Sequence, residues 1–324
     1  MAFKTGQAAN PTDLYNKLTA FLTTDPDLTA AGQNWTQVWT GPAAAPTDRV
    51  LRGPGLSGQD QVYVGMRLTQ RPASDAYFIE FTGMTGIIDN GTTYRDHVNE
   101  MPNYQRLFTD VGAVTYWFIA NGRRFIVVLK ISTIFESVYC GLFLPYAGPL
   151  SYPYPMYMGA SSGPADQPGS ALNWRTVSDR HRSYPWGYYA SGGNEMCDST
   201  GWVMSPAGVW QRNGNNGNTT PVITGPENTQ GTYFESQNSD YSLGSYQLMN
   251  RLIEGYGGDR LLIPLTLIQT DPTDETYGIL DGVYRVQGVA NATENIITAD
   301  GIDHMVVQDV FRTDFSNFYA VALA

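Results

Sequence analysis

Residues 114–144, VTYWFIANGRRFIVVLKISTIFESVYCGLFL, decide the fold. Asn121-Gly122 lies between two runs of β-branched and aromatic residues. That is the strongest short-range hairpin signature, because both central residues of a type I′ turn need φ > 0. A two-residue loop sets Ala120 opposite Arg123, Phe118 opposite Phe125, Trp117 opposite Ile126 and Tyr116 opposite Val127. Phe118, Phe125 and Val127 then share one face, and Trp117, Ile119, Ile126 and Val128 the other. Both faces are apolar, so the hairpin is expected to be covered on both sides. Ser132-Thr133 offers the next turn, into 134–144, and gives a three-stranded meander.

Upstream, 11–22 (PTDLYNKLTAFL) carries Leu14, Leu18, Phe21 and Leu22 at helical spacing, with Thr12 or Asp13 near the N-cap and Pro11 just outside. Asp25-Pro26 ends that helix. The spacing predicts strands at 35–40, at 61–69 with Val62, Val64, Met66 and Leu68 on one face, and at 76–82. Residues 83–110 read as irregular, with a helical turn near 103–108. Downstream, 145–169 alternates Pro and Tyr (Tyr152, Pro153, Tyr154, Pro155, Tyr157), which favours an extended polyproline-like strap. Such a strap is either laid over the core or offered as a ligand to a groove.

Residues 170–250 mix aromatics with Gly, Asn and Ser, including QRNGNNGNTT at 211–220, and read as exposed loops. Strands follow at 260–269, with Pro264 marking an edge or a bend, and at 278–289, 296–297 and 305–312. Turns are expected at Asp281-Gly282 and Asp300-Gly301. The expectation is therefore a mainly β chain, a sandwich or barrel-like set of antiparallel sheets, with a short N-terminal helix and long loops. It divides into an N-terminal helical segment (1–30), a β core with the central hairpin and strap (31–160), a loop-rich aromatic insertion (161–260) and C-terminal strands completing the core (261–324).

Composition narrows the class. The chain has 324 residues, 15% of them charged, with 34 Gly, 19 Pro and 21 Tyr, the profile of a turn-rich β protein large enough to bury a core. Lys4, Lys17 and Lys130 are the lysines, and the remaining basic residues are Arg. Arg, Tyr and Trp are enriched where proteins meet and Lys is depleted there, although GC-rich codon usage leaves the same imprint. A net charge of −11 argues against a nucleic-acid partner, which needs a basic stripe. Cys140 and Cys197 make no disulfide framework, and Cys140 reads as a small buried hydrophobe. No signal-peptide pattern and no apolar run of membrane-spanning length occurs, so membrane insertion is not expected and folding is expected in a cytosol. The Asn-X-Thr sites at Asn34, Asn90, Asn218 and Asn291 then carry no meaning.

Catalytic patterns are scarce. His97, His181 and His304 have no second ligand at metal spacing, and no GxSxG, Walker A or GxGxxG run before a helix is present. Neither metal nor other cofactor is expected. Glycoside hydrolysis needs only paired carboxylates, for which Glu195, Asp198, Glu235 and Asp240 are candidates, with Trp186, Trp202 and Trp210 as stacking surfaces and candidate loop contacts.

Residues 118–161 (FIANGRRFIVVLKISTIFESVYCGLFLPYAGPLSYPYPMYMGAS) resemble a family of tailed-bacteriophage virion structural proteins. The resemblance rests on Arg123, Arg124, Lys130, Thr133, Phe135, Glu136, Ser137, Leu144, Pro145, Tyr146 and the Tyr152-Pro153-Tyr154-Pro155 run, with Gly148 where Thr is common. A second similar stretch, 278–313, includes Asp281-Gly282, Asn291, Glu294-Asn295 and Val310-Phe311-Arg312. The resemblance implies a non-enzymatic virion subunit of the tail or baseplate, assembled in the bacterial host cytoplasm. It implies other virion proteins and further copies of the chain as partners, and no catalytic residues. A head or head-to-tail joining component, or a tail protein binding host-surface glycan with or without glycosidase activity, are the alternatives. Arg123, Arg124, Glu136, Tyr152, Tyr154 and Tyr157 are the candidate assembly residues. Glu136, beside Lys130 and the Arg pair, is expected to form interstrand or intersubunit ion pairs, and the Arg123, Arg124 and Glu136 hairpin is expected to order the strap at 145–158.

Overall fold

A computed structural model describes residues 1–55, 60–70, 76–161, 201–212, 222–223, 262–269, 275–286, 291–308 and 318–323. Its strands form three antiparallel sheets, and no closed barrel occurs among the described residues. Two helices, one strand of the hairpin's own sheet and one whole sheet precede the hairpin. The chain opens with β1 (Ala2–Ala8), α1 (Pro11–Thr24) and α2 (Pro26–Ala30), then β2 (Thr36–Thr40), β3 (Arg49–Gly53), β4 (Val62–Gln70), β5 (Ala76–Met84) and β6 (Gln105–Asp110). The meander is β7 (Val114–Ala120), β8 (Arg124–Ile131) and β9 (Ile134–Leu142), followed by β10 (Leu144–Pro145), β11 (Met156–Ala160), β12 (Trp202–Met204) and β13 (Trp210–Arg212). Last come β14 (Val222–Ile223), β15 (Ile263–Gln269), β16 (Glu275–Arg285), β17 (Ile296–Ala299), β18 (Ile302–Gln308) and β19 (Phe318–Ala322).

The central sheet runs β1-β7-β8-β9-β11-β12-β13, the second β2-β3-β4-β5-β6, and the third β14-β15-β16-β19-β18-β17 with β10 also on β16. The two faces of the hairpin are sorted as its alternation predicts. Tyr116, Phe118, Phe125, Val127 and Leu129 join a core with Leu14, Phe21 and Leu22 of α1 and Val64, Met66 and Phe81 of the second sheet. Trp117, Ile119, Ile126 and Val128 join another with Leu267, Leu280, Val283, Val307 and Tyr319 of the third. The central sheet is thus the middle layer of three.

The hairpin register differs from expectation by two residues: Ala120 pairs with Phe125 and Phe118 with Val127. Neither Asn121 nor Gly122 has positive φ. Instead the Asn121 side chain accepts the N–H groups of Arg123 (2.8 Å) and Arg124 (3.0 Å), which widens the loop. A shift of two leaves every side chain on its face, because the pleat repeats every second residue. The doubly positive φ pattern of a type I′ turn occurs at Asp300 (51°) and Gly301 (77°), between the paired Ala299 and Ile302.

Other differences have local causes. The N-terminal segment is not helical throughout: β1 precedes α1 and forms an edge of the central sheet, its polar Lys4, Thr5 and Gln7 hiding its strand character. The helix is capped by Asn10, which accepts from Asp13 N–H, so Pro11 is inside at the first turn. Residues 103–108 give no helical turn; β6 pairs there with β5. Asp281-Gly282 lies within β16, not in a turn. Pro264 marks a bend, as β15 shifts register against β16 between Pro264 and Thr266. Expected strands at 287–289 and 309–312 fall outside the described residues.

Phe125 is fully buried, edge-on to Trp35 at 5.3 Å and beside Phe81 at 5.9 Å. Phe125→Ala is expected to cost about 3–5 kcal/mol of unfolding free energy, read from chemical denaturation; a cost below about 1 kcal/mol would place the core elsewhere.

Candidate assembly site

The loop between β7 and β8 ties the three layers together. Trp35, before β2, donates its indole N–H to Asn121 O (2.9 Å), and Gly55 N–H donates to Gly122 O (2.8 Å), which joins the loop to the second sheet. On the other side Asn121 Nδ2 donates to Asp281 Oδ2 (3.0 Å), and Arg124 Nε donates to the same oxygen (3.1 Å), which joins it to β16. Arg124 is fully buried. Gly282 has φ 76°, and a Cβ there would lie 2.5 Å from Arg124 Nη2, so glycine makes room for the guanidinium. Burial pushes the Asp281 carboxyl up, but the Arg124 charge and the Asn121 and Arg124 hydrogen bonds outweigh it and hold the group below the ordinary carboxylate value. Arg123 is half-buried beside this pair.

Glu136 does not meet the Arg pair. It lies opposite Leu129 on β9, buried, and accepts from Ser161 Oγ, whose oxygen in turn accepts Ser137 N–H (2.9 Å). Lys130 pairs with Glu294 of the third layer instead. The expected ion pairs of the Arg pair and Glu136 therefore become a bridge between layers at Arg124 and a buried hydroxyl–carboxylate contact at Glu136. Both groups are consumed within the chain.

The strap divides into clamped ends and a projecting tip. Phe143 N–H donates to Pro155 O (2.8 Å), Tyr146 N–H to Tyr277 O (3.0 Å), and the Tyr152 hydroxyl to Met204 O. The Tyr152 ring stands edge-on to Phe143 (5.6 Å) and Tyr277 (5.8 Å), and burial pushes its phenol up. Tyr157 is fully buried in β11 beside Tyr139, and Tyr154 is half-buried against the core. Between the clamps, 146–151 is exposed throughout, closed by Ser151 and Tyr152 N–H groups on Gly148 O. Leu150 at its apex is fully exposed, and Tyr146 is 65% exposed. No charged residue occurs from 137 to 165. The strap is laid over the core, and what it offers outward is the Tyr146–Leu150 tip.

Two of the three candidate tryptophans are structural. Trp210 is buried over Gly83 and donates its indole N–H to Asn99 O (2.9 Å), while Trp202 is half-buried against the same core. Trp210 therefore presents no free ring for a sugar. Trp186, His181, Cys197, Glu195, Asp198, Glu235 and Asp240 lie outside the described residues, as does most of 161–260. His97 and His304 are buried, and Cys140 is a buried free thiol that burial pushes up. Among the described residues no three His, Cys, Asp or Glu converge as metal ligands, and no helix is long and apolar enough to cross a membrane. The sequence reading missed Asp281 and Trp35 as partners of the hairpin loop. Asp281-Gly282 was visible as a pair, but its turn signal masked a strand residue facing a buried charge.

No protein-family model matches the chain, and no curated protein matches it.

Asp281→Asn removes the charge facing a fully buried guanidinium and is expected to cost about 3–5 kcal/mol at neutral pH. The depressed carboxyl contributes stability above its unfolded value, and that stability fades as pH falls through the folded value. The variant should therefore lose the part of the acid limb below about pH 4 that Asp281 supplies in the wild type. Denaturation midpoints across pH check both; parallel acid limbs would remove Asp281 from the linkage.

Proposed function

We propose that the chain is a non-enzymatic structural subunit of a tailed-bacteriophage virion, placed in the tail or baseplate and acting through protein–protein contacts. The resemblance carried by 118–161 and 278–313 supports the virion reading. The observation that carries the structural part is where those residues lie: Arg124, Glu136 and Tyr152 are buried, Asp281 is half-buried, and all four are bonded within the chain. They build a three-layer scaffold. Contacts with other subunits then fall to exposed features, foremost the uncharged Tyr146–Leu150 tip. A chain of net charge −11 repels its own copies, and an uncharged apolar projection is the contact that avoids this repulsion.

Gold-labelled antibody against the chain, imaged on intact virions, tests the placement. Label at the distal tail is the expected outcome. Label at head or neck would move the subunit to the joining region, and no label on intact or opened particles would overturn the virion reading.

Leu150→Asp tests the tip. It should leave the melting temperature unchanged and lower incorporation into particles; normal incorporation would remove the tip from the contacts. In the loop run 211–220, Gln211 and Arg212 pair with Val203 and Trp202 in the central sheet, so a deletion of the whole run would break a strand. Deletion of 213–220 spares those residues. It should leave folding intact and impair assembly or host attachment, and a normally plating phage would give that segment no such role.

A further inference from the structure

The loop 85–101 covers the outer face of the second sheet, and one buried histidine holds its outermost turn. Gly86 and Val98 form an isolated bridge at the neck of the loop, and Met101 N–H donates to Gly83 O (3.0 Å) at its base. Inside the loop, His97 Nδ1 accepts the N–H of Ile88 at 3.1 Å. The imidazole is 6% exposed and stands edge-on to Trp39 of β2, 5.4 Å between centroids. Gly91 lies against the ring, where a Cβ would come 2.6 Å from Cε1. Asp96, next in sequence, holds the other end of the turn through Thr92 N–H (3.1 Å) and Thr92 Oγ1 (3.2 Å).

We propose that His97 is an acid-released latch: the neutral ring pins the 88–92 turn to the second sheet, and protonation lets it go. An Nδ1 that accepts from Ile88 must carry its single proton on Nε2. A second proton would go to Nδ1 and set one donor against another at Ile88. Nε2 is itself buried with no hydrogen-bond partner among the described residues, so the added charge gains no compensation from them. Of the charges around it, Asp96 favours the cation; on the same loop Arg95 is engaged with Glu100, and β2 presents the uncharged Trp39.

Burial lowers the ring's affinity for protons below the ordinary histidine value of 6.5, against the opposing pull of Asp96. An open turn leaves the ring in water, where it protonates normally. Opening is therefore unaffected well above 6.5 and increasingly favoured below it, by up to about tenfold per pH unit until the folded value is reached. Release uncovers the Trp39 ring and frees Ile88, already 43% exposed, while Asp96 keeps its hold on Thr92 as the hinge.

Site-resolved amide exchange on the full chain, from about pH 7.5 down to about pH 5 and corrected for intrinsic rates, is the test. In the wild type, Ile88 should lose protection as the pH drops below about 6.5 while β5 amides keep theirs. His97→Asn retains an acceptor near the Nδ1 position without a titratable ring, and should hold Ile88 protection flat. Flat protection in the wild type, an equal fall in His97→Asn, or joint loosening of β5 would each overturn the latch. If the variant does not fold, the wild type decides: the Ile88 loosening must set in near pH 6.5 and level off where the His97 ring titrates, and loosening that is complete above that point or continues well below it refutes the coupling.

Discussion

The structure depends on one constraint: the β7–β8 hairpin has two apolar faces. Leaving a Phe, Ile or Val side chain in water instead of a core forfeits about 1.5–3 kcal/mol each, so neither face can stay wet. An amphipathic sheet is satisfied by one cover, but Phe118, Phe125 and Val127 on one side and Ile119, Ile126 and Val128 on the other demand two. The second sheet with α1 supplies one, from residues before the hairpin. The third supplies the other, largely from residues after 260. The central position of the hairpin in the chain thus becomes its central position in the layers.

Polar groups then fix how the layers sit. Apolar burial alone is non-directional and leaves sheets free to slide. The 121–124 loop removes that freedom by accepting from Trp35 and Gly55 on one side and donating to Asp281 on the other. An Arg–Asp pair this buried is weak as a source of stability, because desolvation offsets most of the attraction. Its value lies in geometry. Arg124 tolerates one placement of β16, the one in which Gly282 clears its Nη2.

These physical roles explain what the sequence disclosed. The faces of β7, β8 and β4 were legible because alternation is a local pattern set by the pleat. The register was not: Asn-Gly is a turn signal, but here the Asn side chain satisfies Arg123 and Arg124 N–H groups, which no propensity records. Strands β1 and β6 were hidden for a related reason. Their polar residues, such as Lys4 and Arg106, are accommodated by an edge or by an ion pair with Glu80, and both are tertiary facts. The candidate site divided the same way. Tyr152 and Tyr157 could be read as ordered, but whether they faced the core or a partner depended on where Phe143, Tyr277 and Tyr139 lay.

The placement of the motif residues changes what a sequence signature of this kind reports. Arg124, Glu136 and Asp281 are the residues most visible as a pattern, yet the first two are buried, Asp281 is half-buried against Arg124, and each is bonded inside the chain. A pattern of buried ionic groups constrains how sheets stack, so chains sharing it are expected to share the scaffold. Partner choice is written elsewhere, in groups that folding leaves exposed. Leu150 illustrates this: its side chain makes no demand on the core, so its identity is free to follow whatever surface the subunit meets. Chains alike in the buried pattern can therefore occupy different places in an assembly, and a change of place requires changes at the tips and turns only.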